Sequence, residues 1–264
     1  FVVATVASAV ALRHCRRIVH AHYSRVATHD LRLRDATVAA KYASAAWRAV
    51  FYTTSLSAAS AVAWHTGAFA ASHNYCMWPD RPAPTVAHTL VYALQIAYYA
   101  LDAHALAFAS SLAAQNNERT LLLVHHVATV ALLVVSYATR RHALGVVVVW
   151  LHDASDPLLE VAKMRNYDMH RDATAPFLAF AAVFFATRVV YYPFFVIAAI
   201  VACGAIDRLQ VFALAVLACM HVYWFALIVR VVVDGLRHGG DRGNNDPREQ
   251  PPTPPPPPPS PNVC

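Results

Sequence analysis

HHVATVALLVVSYATRRHALGVVVVWLHDASDPLLEVAKMRNY runs from residue 125 to residue 167 and decides how the rest of the chain is read. Two apolar runs meet at Thr139–His142, and each carries ionisable side chains in its interior. In water, Val-rich runs of this kind suggest strands. In lipid every backbone group must be satisfied within its own segment, so runs of about 18 or more residues favour helices. Ionisable groups at membrane depth are costly, so His125, His126, His152, Asp153, Asp156 and Glu160 call for a function or for partners.

The surrounding sequence has the same character. Hydrophobic residues make up 58% of the 264 and charged residues only 14%, and mean hydropathy is +0.40. The charges cluster between long apolar runs, whereas a soluble domain of this size would need a charged surface. Six spans are predicted near 49–71, 85–112, 120–137, 143–160, 175–203 and 209–234. The fold class expected is all-α: a polytopic membrane bundle of six helices around a central cavity, with the remnant of a preceding transmembrane helix. Sixteen of the 21 Lys and Arg fall in 13–48, 113–119, 161–174 and 230–248, against four on the opposite side. The rich side is therefore assigned to the cytosol, which makes the C-terminus cytosolic. The net charge of +6 sits beside hydrophobic spans and does not indicate nucleic acid.

The expected organisation has four parts. Residues 1–12 read as a truncated transmembrane helix and 13–40 as a basic cytosolic segment. Residues 41–238 form the six-span domain. Residues 239–264 form a Pro-rich cytosolic tail without a packed core, with Pro251–Pro261 favouring polyproline II. The five cysteines lack paired spacing and contain no CxxC, so neither a zinc site nor a redox motif is indicated. Cys76 and Cys203 fall on the lumenal side, where a disulfide is chemically permitted.

The polar residues have a spacing. Thr129 lies four residues after His125 and three after His126, within reach of either ring on a helix surface. Steps of three and four carry Asp153, Asp156, Glu160, Lys163 and Tyr167 down one helical face, and His152 and Asp156 form a further pair. Carboxylates in low dielectric need partners, and the histidines are the expected ones. Such a set can take a proton from a nucleophile and return it to a leaving group. The same residues also fit an interhelical network of mutually satisfied polar groups. A metal site is a further reading, although neither HExxH nor ExxH occurs. Arg188, within a span, pairs with an Asp of the stripe or extends along Tyr191 and Tyr192. His65, His88, Asp102 and His104 are read as supporting or interfacial groups. Arg119, Lys163, Arg165 and Arg171 line the cytosolic edges, where they anchor the chain or meet phosphates.

The stretch 125–167 resembles the Lag motif of the ceramide synthase (longevity-assurance) family: HHxxT, then Ser136, Gly145 and HDxxDxxLExxKxxNY. The likeness extends outward. KYASAAWRAVFY at 41–52, Tyr98-Tyr99, the segment from Arg188 to Pro193, and His221, Trp224 and Arg230 all resemble the TLC domain of that family. This resemblance implies an endoplasmic-reticulum enzyme that joins the acyl group of a fatty acyl-CoA to the amine of a sphingoid base, giving ceramide or dihydroceramide. It implies acyl-CoA as co-substrate and no further cofactor. It also implies contact with membrane lipid, and leaves open a homo- or hetero-dimer. His125 and His126 fall on the family's essential histidine pair, and Asp153 and Asp156 on its essential aspartates. Thr129, Ser136, His152, Glu160, Lys163, Arg188, His221 and Trp224 are the candidate supporting residues.

Two positions depart from the pattern. Ala143 stands where the family has a basic residue two before the central Gly145, with Arg140, Arg141 and His142 just upstream. Pro157 follows Asp156 and removes a donor to the Asp153 carbonyl, which predicts a kink. The family also links acyl-chain choice to the region between the last two spans, here 204–209. Two other functions share parts of this pattern: a non-enzymatic TLC-domain lipid sensor or carrier, and an ion or proton pathway. The full HDxxDxxLExxK string favours the enzyme, and no inverted internal repeat supports a transporter.

Overall fold

The computed structural model describes residues 1–33, 35–69, 83–108, 117–168, 172–203 and 208–237. The Pro-rich tail 239–264, Arg81, Arg171, Cys76, the side chain of Cys203 and most of the 204–209 link lie outside the described residues. The described residues are helical and contain no strand. The helices are α1 (Val2–Arg25), α2 (Ala36–His65), α3 (Val86–Phe108), α4 (Asn117–Ala138), α5 (His142–Asp153), α6 (Asp156–Tyr167), α7 (Thr174–Phe184), α8 (Ala198–Cys203) and α9 (Arg208–Arg237). A π-helical turn, Val26–Asp30, follows α1, and a longer one, Phe185–Ile197, joins α7 to α8.

Among the described residues, three helical stretches are long and apolar enough to cross a membrane: Glu118–Ala138, Thr174–Ile197 and Gln210–Gly235. The chain is a multi-pass membrane protein. The other predicted spans also form helices, but they are more polar or shorter. α3 carries His88, Gln95 and Asp102, and the expected span 143–160 is divided between α5 and α6. Ala154 and Ser155 separate those two helices, and Pro157 sits in the first turn of α6. Proline has no N–H to donate back to Asp153, and its fixed φ suits a helix start, so the chain ends one helix and begins another. The predicted kink is thus a full break.

The first helix is longer than the sequence suggested. α1 continues through Arg13, Arg16 and Arg17 to Arg25, so this part of the expected basic segment is helical. Those arginines lie on its exposed face, while Leu12 is buried against Trp47, Phe51, Tyr98 and Tyr99. A charge on an outward face does not interrupt a helix whose other face packs. Phe1 stacks on Tyr137 at the end of α4, and Tyr23 meets Tyr42 near the start of α2, so α1 runs along the height of the bundle. The α2 N-terminus is capped by Asp35, whose carboxylate accepts from the Thr37 amide and hydroxyl at 2.7 Å each. These bonds, the hydroxyl first, hold that carboxyl below its ordinary range. The cap therefore supports the fold above the ordinary carboxylate value and is lost as pH falls through the lowered one.

The main core lies among α2, α3, α4, α5, α8, α9 and the π-helical turn Phe185–Ile197, with Tyr92, Val146, Leu151, Tyr192 and Ile200 fully buried. One close approach governs the end of the core where α4 gives way to α5. A Cβ on Gly145 would overlap the Tyr92 hydroxyl and crowd Ser136 Oγ at 2.8 Å. That hydroxyl bonds Ser136 Oγ at 2.8 Å and donates to the His142 carbonyl at 3.3 Å, tying α3, α4 and α5 together. Gly145→Ala is expected to destabilise the protein by about 1–3 kcal/mol. Adding Tyr92→Phe, which removes the colliding oxygen, should recover part of the loss. Thermal unfolding of the purified protein in detergent measures both.

Candidate active site

The break between α5 and α6 builds the site. It leaves carbonyl groups at the α5 C-terminus without the next helical turn to bond them, and it starts a new N-terminus one turn away. Arg188, from the π-helical turn Phe185–Ile197, donates to the His152 carbonyl and pairs with Asp156 Oδ1 at 2.6 Å. Its guanidinium carbon lies 4.8 Å over the Phe184 ring. A cation thus sits at the end of α5 and a carboxylate at the start of α6, the arrangement both helix dipoles favour. Pro193 inside the same segment cannot donate to its helix, and π-helical geometry accommodates that loss while aiming Arg188 and Tyr192 inward.

Asp153 is held differently. It is 1% exposed, and its Oδ2 accepts from Ser55 Oγ and from Gln95 Nε2, both at 2.6 Å. Ser55 comes from α2 and Gln95 from α3, so three helices fix one carboxylate. Glu160 is compensated by cations: Arg48 Nε lies 3.0 Å from Oε2 and Lys163 Nζ 3.0 Å from Oε1. The expectation that histidines partner these carboxylates is therefore corrected. Hydroxyl, amide, guanidinium and ammonium groups do so, because α5 and α6 turn their carboxylates toward α2, α3 and Arg188.

The histidines meet one another instead. His125 (α4), His152 (α5) and His221 (α9) form a buried layer with ring centroids 4.8–6.4 Å apart. Trp224 lies edge-on to His125 at 5.1 Å, and Tyr192 packs against both His152 and His221 at 5.3 Å. His152 Nδ1 lies 2.7 Å from the Val148 carbonyl, which can only accept, so this nitrogen carries the proton and Nε2 is the basic atom. His152 Nε2 and His125 Nδ1 find no hydrogen-bond partner among the described residues. His126 points to the other side of α4, beside Tyr99 at 5.1 Å and 3.5 Å from Asp102 Oδ2. Adjacent histidines on a helix diverge by about 100°, which accounts for the two surroundings.

An elongated cavity opens beside this layer, with about 700 Å³ of empty space counting its open part. Its walls are chiefly leucine and valine, including Leu132, Leu133, Leu144, Val149, Leu214 and Leu217. His152, Asp153, Gln95 and Tyr99 mark one end, and Ser136, Arg141 and Gln210 the other. Among the predicted residues, Asp153, His152, Thr129 and Ser136 line it directly, while His125, His126, His221 and Trp224 stand behind it. Asp156 connects to it through Arg188. Thr129 lies along the wall, its hydroxyl without a partner among the described residues rather than bonded to a histidine. Glu160 and Lys163 form their ion cluster with Arg48 away from the cavity. Arg119 donates to the Leu106 carbonyl, and Asp102 is the pair of His126. Ser55 and Gln95, which hold Asp153, and Arg48, which pairs with Glu160, are partners that sequence reading passed over. The signal was present: each is a polar residue within or beside an apolar run.

These features define a multi-pass membrane protein with an apolar cavity ending at a buried His–Asp–Arg cluster. The TLC domain pattern matches residues 41–230. Ceramide synthase 4 of Mus musculus is 32% identical over 75% of this chain and 52% of its own length. ASC1-like protein 1 of Oryza sativa subsp. japonica is 30% identical over 78% of this chain and 73% of its own. Ceramide synthase 1 LOH3 of Arabidopsis thaliana is 28% identical, over 77% and 70%. The chain spans about half the length of the mouse relative. It belongs to the TLC-domain, ceramide synthase family.

Removing one partner of a buried ion pair costs more than removing both. Arg188→Ala should cost about 3–5 kcal/mol, because it leaves Asp156 uncompensated. Arg188→Ala with Asp156→Asn should cost less than the two single losses added. A double-mutant cycle of detergent melting curves measures this coupling.

Proposed function

We propose that this protein is a sphingoid-base N-acyltransferase of the endoplasmic-reticulum membrane, with its C-terminus in the cytosol. It transfers the acyl group of a fatty acyl-CoA to the amine of sphinganine or sphingosine. We also assign the more polar helices α2 and α3, and the α5–α6 pair, to the membrane, where bundle neighbours cover their polar side chains. The observation that carries the reading is the polar end of the cavity, where His152 and Asp153 face an apolar chamber with His125 and His221 directly behind. Alkyl chains fit the chamber, and the reacting groups fit its end.

The chemistry follows from the groups there. Asp153, steadied by Ser55 and Gln95, attracts the sphingoid ammonium. A neutral imidazole of the layer accepts its proton, which frees the nitrogen lone pair. The nitrogen attacks the thioester carbon, the C–S bond breaks, and the thiolate leaves with the proton returned by the imidazolium; the imidazole, neutral again, takes the second proton from the acylated nitrogen and passes it to solvent, leaving the neutral amide. The amide N–C bond is ceramide's. A two-step route uses the same groups: His125 displaces the thiolate first, and the amine then displaces the imidazole. Arg188 acts through Asp156 and the α5 terminus by holding His152 and Asp153 in place. The relatives named ceramide synthases support this reading.

Expressed in cells lacking their own ceramide synthases, the protein should N-acylate a sphingoid base in microsomes. Asp153→Asn and His125→Ala should each lower the rate at least 100-fold while melting near wild type. Release of CoA before any base is added would mark the two-step route. A well-folded protein that binds acyl-CoA or sphingoid base but forms no amide would instead be a lipid sensor or carrier.

A further inference from the structure

N-acylation leaves a proton to be carried away. The amine arrives as an ammonium and ends as a neutral amide, so it sheds two protons. The thiolate takes one, and each turnover frees the other inside the bundle. The layer of His125, His152 and His221 is poorly placed to release it, because all three are buried among Trp224, Tyr192 and Phe184.

His126 looks out of this layer on the opposite side of α4. Its ring centroid is 5.7 Å from that of His125, a gap that one water bridges. Its Nδ1 lies 3.5 Å from Asp102 Oδ2 of α3. Tyr99, one turn before Asp102, stands beside both histidines, its ring 6.3 Å from His125 and 5.1 Å from His126. Exposure rises abruptly along this line: the His126 side chain is 4% exposed and the Asp102 side chain 35%. The carboxylates of α5 and α6 do not reach the surface in this way. Asp153, Asp156 and Glu160 are buried and committed to hydroxyl, amide or cationic partners. A carboxylate exposed at membrane depth is costly unless water reaches it. One turn beyond Asp102, the Leu106 carbonyl accepts from Arg119 at 3.0 Å, so polar groups continue along the α3–α4 seam toward the end of α3. Tyr98 interacts with Asp102 and also with Arg48 of α2 and Glu160 of α6. α1 meets this part of α3 with Ala9, Leu12 and Val19, while its Arg13, Arg16 and Arg17 are exposed.

We propose that Asp102 is the proton outlet of the site. This rests on the N-acyltransferase reading. The imidazole of His125 that has taken the amide proton passes it to His126, and His126 releases it from Nδ1 to Asp102 Oδ2. Asp102 then loses it to water. Both imidazoles end neutral, Asp102 ends as the carboxylate, and one proton leaves for each amide formed. Asp102 touches no substrate and acts through His126.

Steady-state N-acylation by the purified protein in detergent tests this, with thermal unfolding as the check on folding. Asp102→Asn should lower kcat about tenfold while KM for acyl-CoA and for sphingoid base stays within about twofold. It should also enlarge the solvent deuterium isotope effect on kcat. Formate, a carboxylate small enough to enter at a partly exposed position, should restore kcat as its concentration rises. Asp102→Glu should keep most of the activity. Asp102→Ser replaces the Asn variant in every assay if that one melts early. Asp102→Asn with His126→Gln should be no slower than His126→Gln alone, because both act on one path. Unchanged kcat in Asp102→Asn, a loss confined to KM, or a loss that neither formate nor heavy water alters would overturn the proposal and leave the acyltransferase reading standing. A folded wild type that forms no amide with any acyl-CoA would remove that reading and this inference with it.

Discussion

Arg188 bridges a break between the helices that carry His152, Asp153 and Asp156, and the arrangement of the candidate site depends on that bridge. A guanidinium buried at membrane depth is tolerable only when its donors are met. Here they meet a carbonyl at the end of α5 and the carboxylate that opens α6. The cation, the carboxylate and the two helix dipoles are arranged so that each offsets another. The break beside Pro157 is thereby spanned by one side chain, with His152 and Asp153 at the end of α5 and Asp156 at the start of α6.

From that corner the polar groups divide into two systems. The carboxylates look toward α2, α3 and the cations, where Ser55, Gln95, Arg48 and Lys163 compensate them. The imidazoles look toward one another across α4, α5 and α9, among aromatic rings. Separation has a chemical use. An imidazole already paired with a carboxylate has one fewer nitrogen to offer, whereas the buried basic nitrogens of this layer are available to a substrate. Asp153 has only neutral donors, both on Oδ2, and its Oδ1 has no hydrogen-bond partner among the described residues.

Much of this was legible in the sequence. The apolar runs announced helices in lipid, and 120–137, 175–203 and 209–234 correspond to stretches long and apolar enough to cross. Pro157 announced the break, and the spacing of His125, His126, Asp153 and Asp156 announced the site's region. Arg188 with Asp156 was one of two open pairings. Partners were not legible. Nothing local says that Ser55, 98 residues from Asp153, donates to it, or that His221 closes a layer begun at His125. The continuation of α1 past Arg13 was hidden for another reason. Linear composition registers charge, but only packing shows which face carries it.

The central claim is that the histidine layer and Asp153 are the reacting end of a chamber that receives an acyl tail. A structure of the protein bound to a non-reactive thioether analogue of a 16-carbon acyl-CoA tests it most directly. The account predicts the carbon that stands for the carbonyl beside His152 and His125, and the tail running between α4, α5 and α9. A tail leaving sideways between helices, or a reacting carbon remote from the histidines, would contradict it.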